Sequence, residues 1–149
     1  MALQTVVPIR NNPPRVEPII IELLGEPKGK GRARSTRAGI TYTPAATRSH
    51  ENALAWAATR AMRGRSPLLV ALQVTVKAYM SVPRSWSKRQ QLRALDGIIR
   101  PTTRPDADNI LKMLDALNKI VWRDDSQIVC LEMSKHYSER PRVRIEVIP

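Results

Sequence analysis

From Leu68 to Met80 the chain alternates. Leu68, Val70, Leu72, Val74, Val76, Ala78 and Met80 fall on one side, with Gln73, Thr75 and Lys77 among the residues between them. Successive strand side chains point to opposite faces, so a period of two predicts one long strand covered on a single side and ended by Pro83. Ile19-Ile20-Ile21-Glu22-Leu23-Leu24, bounded by Gly25 and Pro27, predicts another strand. Two more runs close the chain: Val129, Leu131 and Met133 alternate in one, Val143, Ile145 and Val147 in the next, with a polar turn from Ser138 to Pro141 between them. Ile40-Thr41-Tyr42 reads as a short strand.

Elsewhere the period is helical. Leu54, Ala58, Ala61 and Met62 share one face behind Thr43-Pro44, an N-cap followed by a proline at the first helical position, and Gly64 offers a stop. Ser85 to Leu95 predicts a short basic helix. A third helix runs from about Asp108, as N-cap, to Asn118, with Ile110, Leu114 and Leu117 on one face. This order of elements predicts an α+β fold: a small mixed, largely antiparallel sheet packed with two or three helices. Residues 1–16, with Pro8, Asn11, Asn12, Pro13 and Pro14, read as a flexible arm, and 17–149 as a single domain without internal repeats.

Composition narrows the class. A chain of 149 residues, 42% hydrophobic and 26% charged, can bury one real core and is not a disordered tail. It has no apolar run near the ~20 residues of a spanning helix and no signal core at its start, so a soluble, cytoplasmic protein with no membrane partner is expected. Cys130 is the sole cysteine, which excludes an internal disulfide and a Cys-rich zinc site. His50 and His136 have no partner at useful spacing and read as surface or capping residues.

Charge changes the picture more. Lys and Arg number 25 against 13 Asp and Glu, a net +12 that points to a polyanion, most often nucleic acid; a membrane surface or an acidic protein is the competing partner. From Pro27 to Arg48 the chain carries Lys28, Lys30, Arg32, Arg34, Arg37 and Arg48 with no acid. This stretch reads as a mobile loop that contacts phosphates without reading sequence, supplemented by Lys88 and Arg89 on the short basic helix. Its glycine spacing resembles a phosphate-binding loop but lacks the terminal Lys-Ser/Thr, so no nucleotide cofactor is expected.

The acids are concentrated too: Asp106, Asp108, Asp115, Asp124 and Asp125 lie in one short stretch. Pro105 favours extended geometry, which would put Asp106 and Asp108 on one face, and Asp124-Asp125 return one helix later ahead of a strand. Should Asp125 meet the first pair, carboxylates about 4 Å apart would repel by roughly 4 kcal/mol each at an effective dielectric near 20. They would protonate or splay apart unless a cation joined them, and oxygen donors without thiolate or imidazole select Mg²⁺, with Mn²⁺ as substitute. Lys112, four residues after Asp108, would reach the same site as a point charge for a scissile phosphate, or form an ordinary i, i+4 ion pair. Competing readings make Asp108 only a cap and Asp124-Asp125 only a turn. Asp115 supports the site from behind or is simply solvated. Trp86 and Trp122 could stack on bases, but Trp122, between apolar residues and the aspartates, fits core support for the site better.

These residues form a larger pattern. Pro105-Asp106-x-Asp108-Asn109-x-x-Lys112-x-x-Asp115-Ala116-Leu117-Asn118, followed by Trp122-x-Asp124-Asp125-x-Gln127-Ile128, closely resembles the signature of the RusA family of Holliday junction resolvases, common in phages and prophages. The resemblance extends to Gly25–Arg34, to Tyr42-Thr43-Pro44 with Glu51, and to Pro83-x-Ser85-Trp86-Ser87-Lys88. It implies a homodimeric endonuclease that cuts branched DNA with Mg²⁺, with Asp106, Asp108 and Asp125 as essential aspartates and Lys112 as the essential lysine; Asn109 and Asp124 are supporting positions. The expected activity is resolution of four-way junctions by paired cuts on opposed strands, in recombination and repair in a bacterial cell. The basic loop departs from the pattern in having no aromatic residue between Lys28 and Arg37, which argues against a stacking wedge there. Two other functions stay open: a DNA- or RNA-binding protein without catalysis, and a nuclease for other branched DNA such as flaps.

Overall fold

Leu72, Val74, Val76, Ala78 and Met80 are buried along one face of a ten-residue strand, as their alternation requires. That strand is central to a computed structural model that describes residues 16–149. The arm expected over residues 1–16 lies outside the described residues except for Val16, which is exposed. In chain order the elements are β1 (Ile19–Leu24), β2 (Arg34–Ser35), β3 (Thr41–Tyr42), α1 (Ala45–Met62), β4 (Leu72–Ser81), α2 (Lys88–Leu95) and α3 (Ala107–Leu111). A 3₁₀ turn (Lys112–Leu117) continues α3, and a second (Asp125–Gln127) leads into β5 (Ile128–Ser138) and β6 (Arg142–Ile148).

The main sheet has the order β1-β6-β4-β5, with β6 antiparallel to both β1 and β4 and β5 parallel to β4. This is the expected mixed, largely antiparallel sheet. A parallel pair cannot be closed by a tight turn. The chain therefore crosses over between β4 and β5, and that crossover carries α2, α3 and all five clustered aspartates.

Helix α1 buries Thr47, Leu54, Ala58 and Met62, and the last three join Ile21, Ile145 and Leu72, Val74, Val76 and Ala78 of β4 in one core with Ile110, Met113, Leu114, Leu117, Val121 and Trp122. Pro44 occupies the cap of α1 rather than its first turn, and the helix stops at Arg63, itself left-handed (φ 50°), just ahead of Gly64. Helix α2 starts at Lys88 rather than Ser85, because Ser87 and Gln90 form a reciprocal capping box.

Three other expectations are corrected. Leu68 and Val70 do not extend β4: Leu68 pairs with Val121 and Arg123, and the Leu68 and Val70 carbonyls accept from Gln127 Nε2, so this segment braces the aspartate-bearing turn. Asp106, not Asp108, stands at the cap of α3, and the helix tightens to 3₁₀ after Leu111 instead of continuing to Asn118. With three residues per turn, Leu111, Leu114 and Leu117 stack in one row toward the core. Finally, the basic loop is partly ordered, since Arg34 pairs with Tyr42 and Ser35 with Thr41 in a small hairpin. Among the described residues no helix is long and apolar enough to cross a membrane.

Candidate active site

A cleft of about 1100 Å³ opens between the Pro27–Arg32 strap and the start of α3. Lys28, Gly29, Lys30, Gly31 and Arg32 line one wall; Arg104, Pro105, Asp106, Asp108, Asn109 and Lys112 line the other. Asp106 is extended (φ −69°, ψ 148°) and its carboxylate makes no capping bond, which leaves it free toward solvent. Asp108 lies in the first helical turn, so the two aspartates are not both on an extended segment as Pro105 suggested; the bend from strand geometry into helix still leaves both on the cleft. Lys112 Nζ sits 3.4 Å from Asp108 Oδ2 and donates to Asn109 Oδ1 at 3.1 Å.

The second acidic pair divides its labour. Asp124 caps the turn before β5, accepting from the Ser126 amide at 2.9 Å, while Gln127 Oε1 accepts from the amides of Asp124 and Arg123 at 3.0 and 2.9 Å. Hydrogen bonds from Ser126, side chain first and then backbone, hold the Asp124 carboxyl below the usual range. Asp125 opens the turn with an exposed side chain. It does not line the cleft that holds Asp106 and Asp108. Among the described residues no three His, Cys, Asp or Glu side chains gather closely enough to hold a metal between them. The donors on the cleft nevertheless fit a hard divalent cation in kind: two carboxylates and an amide oxygen, with no thiol or imidazole beside them.

The basic residues play unequal parts. Arg32 is exposed on the cleft wall, and Lys28 is exposed there near His50. Arg34 lies in β2, Arg37 in the turn of the hairpin, and Lys88 and Arg89 in the first turn of α2, all exposed. Lys30 differs: its Nζ is 3.1 Å from Asp115 Oδ2 and 3.3 Å from Glu51 Oε1. Sequence reading missed this triad, because Lys30 and Asp115 are 85 residues apart and no local spacing announces their contact. It also gives Asp115 a partner that neither earlier reading supplied.

Trp122 is fully buried, its indole Nε1 donating to Asn118 Oδ1 at 2.7 Å. Trp86 is half-buried, edge-on to Tyr137 with ring centroids 5.4 Å apart. His136 stacks on Tyr79 and meets Ser134 Oγ at 2.8 Å, away from the cleft.

A cleft that sets two aspartates and a lysine beneath a cationic strap, on a chain of net charge +12, is suited to phosphodiester chemistry on nucleic acid. Its class is that of small α+β nucleases. The chain belongs to the RusA family: residues 25–148 match the family described as Endodeoxyribonuclease RusA. It is 39% identical over 129 residues to the uncharacterized protein YqaN of Bacillus subtilis (strain 168), a match covering 83% of this chain and 90% of that protein. It is 48% identical over 48 residues to the crossover junction endodeoxyribonuclease rusA of Lactococcus phage r1t, covering 31% of this chain and 37% of that one. Family membership makes the chain an endodeoxyribonuclease, a hydrolase of DNA.

Proposed function

We propose that this protein resolves four-way DNA junctions by Mg²⁺-dependent hydrolysis of phosphodiesters on opposed strands, and so serves DNA recombination and repair. The observation that carries the reading is the convergence of Asp106, Asp108 and Lys112 on one strap-covered cleft within the family-matched segment.

Asp106 and Asp108 would hold the cation on the cleft, and Asp125, which does not line the cleft in this arrangement, would have to join them to complete the donor set that the motif implies. Asp125 is preferred to its neighbour because the Asp124 carboxylate is already engaged in its cap. When bound there, Mg²⁺, or Mn²⁺ in its place, would supply a nucleophilic water at neutral pH and offset charge on the phosphate. The rest is work for the chain's own groups. Lys112 holds its ammonium beside Asp108, from where it can turn to a phosphate oxygen as negative charge develops. Arg32 and Lys28 grip backbone phosphates along the cleft wall. Arg34, Arg37, Lys88 and Arg89 extend that grip over neighbouring arms, and a two-fold dimer would present one site to each of the two strands cut.

The test is a labelled synthetic four-way junction incubated with the protein and Mg²⁺, beside a linear duplex and a flap of the same sequence. Paired, symmetric nicks in the junction, abolished by chelator and absent from the duplex, are expected. Binding without scission would support the non-catalytic reading, and equal cutting of the flap would shift the substrate to branched DNA at large.

A further inference from the structure

Within the strap, Gly29, Lys30 and Gly31 are all fastened to the helical layer. A Cβ on Gly29 would fall 2.9 Å from Asn109 Cβ, and one on Gly31 would fall 2.6 Å from Thr47 Oγ1. Both glycines are therefore required by close approach, the first to α3 and the second to α1. Between them the Lys30 amide donates to the Asn109 carbonyl at 3.0 Å, while its ammonium lies between Glu51 of α1 and Asp115 of the 3₁₀ turn. The Lys30 side chain is 32% exposed, that of Glu51 22% and that of Asp115 53%, so solvent screens the Glu51 contact less than the Asp115 one.

We propose that Lys30 is a positioning residue: it clips the cationic strap to the helical layer and thereby holds Asn109, and through it Asp108 and Lys112, in place, and it is not itself a contact to DNA. The proposal rests on the reading of the cleft as the nuclease site. Two carboxylates flank one ammonium, so the triad is net negative and repels a phosphate. To bind DNA, Lys30 would have to abandon both partners and leave them facing the polyanion. Its neighbours Lys28 and Arg32 stay exposed and keep their charge for the substrate. The clip has a route to the chemistry: Asn109 is bonded through its carbonyl to Lys30 and through Oδ1 to Lys112 Nζ, and it adjoins Asp108 in the chain. Displacements near 1 Å at a reacting centre can cost about 100-fold in rate, so a loosened strap should be read in turnover.

The experiment compares Lys30→Met, Lys30→Glu, Glu51→Gln, Arg32→Ala and the charge swap Lys30→Glu with Asp115→Lys. Amide hydrogen exchange of residues 28–33, measured on the DNA-free protein, should quicken in Lys30→Met and Glu51→Gln, and the swap should be slower than Lys30→Glu alone. Junction affinity measured with chelator across a salt series should keep its wild-type slope in Lys30→Met and lose about one unit in Arg32→Ala. Turnover at saturating junction should fall by about tenfold or more in Lys30→Met with little change in KM, and recover in part in the swap. Unchanged exchange in both single variants, or a salt slope in Lys30→Met as shallow as in Arg32→Ala, overturns the proposal. Should Lys30→Met not fold, Glu51→Gln and the swap decide it. Because the exchange measurement involves no DNA, it tests the clip even if the wild-type protein cuts no junction, an outcome that would defeat the functional reading instead.

Discussion

Lys112 Nζ lies 3.4 Å from Asp108 Oδ2, four residues earlier on the same helical face. Both side chains are more than half exposed, and pairs of this kind contribute at most about 1 kcal/mol to stability. So loose a pairing leaves the ammonium free to exchange its carboxylate for a phosphate. Lys112→Ala should leave the melting temperature nearly unchanged and junction binding largely intact, while lowering single-turnover cleavage by about 100-fold. Wild-type turnover would reduce Lys112 to a surface ion pair.

The aspartates should separate by role. Asp106→Asn, Asp108→Asn and Asp125→Asn each remove a donor without removing positive charge, so all three should abolish cleavage in Mg²⁺ while keeping or tightening junction binding. Asp124→Ala removes the acceptor for the Ser126 amide instead and should lower the melting temperature. Gel-shift and cleavage assays on the same preparations, with thermal melts, check the division. Cutting at the wild-type rate by Asp125→Asn would remove it from the proposed donor set.

Much of this arrangement is legible in the sequence, and what is hidden has physical causes. The β4 face and the buried stripe of α1 follow from period two and period 3.6, because burial of a regular element must repeat with its geometry. Leu68 and Val70 obey the same alternation yet leave the sheet, since their backbone groups are claimed by Val121, Arg123 and Gln127, partners more than 50 residues away in the chain. The shortened α3 is hidden for a related reason: Leu111, Leu114 and Leu117 suit a 3₁₀ row as well as an α-helical face. The motif spacing groups Asp106, Asp108 and Lys112 with Asp125, and the first three line one cleft while Asp125 does not. It could not show that Lys30 faces Glu51 and Asp115, because a contact between distant segments leaves no period.

Acid should destabilise the fold through its two histidines. Burial lowers the pKa of His50, and the charge of Lys28 lowers it further, against an opposing pull from Glu51. Burial also lowers that of His136, with Arg100 and Lys77 adding to the effect. Both folded values lie below the ordinary 6.5, so the unfolded chain takes up protons first as pH falls. The stabilising contribution is complete above 6.5 and is lost as pH falls through the folded values. Urea midpoints should therefore hold from pH 8 to 7 and drop toward pH 5, with a smaller drop in His136→Gln. An equal drop in that variant would assign the acid sensitivity elsewhere.

Assembly gives the last expectation. Leu131 is aligned with Val74 on the core-facing side of the sheet, yet it is 44% exposed, and nearby Val129 is 73% exposed. The strand that carries them, β5, pairs only with β4 among the described residues, so one of its edges and part of its apolar face stand open. An unpaired edge beside exposed aliphatic side chains invites pairing with another chain. Burying each such side chain is worth about 2 kcal/mol, and a two-fold axis counts every one twice. On the proposed function a four-way junction is nicked on two opposed strands, so the partner expected at this edge is a second copy of the chain. Sedimentation at micromolar concentration should give twice the chain mass. Leu131→Glu with Val129→Glu should yield a folded monomer that nicks one strand and leaves the opposed strand intact. A wild-type monomer that still makes paired, symmetric incisions would overturn this expectation, as would a double variant that remains dimeric and cuts normally.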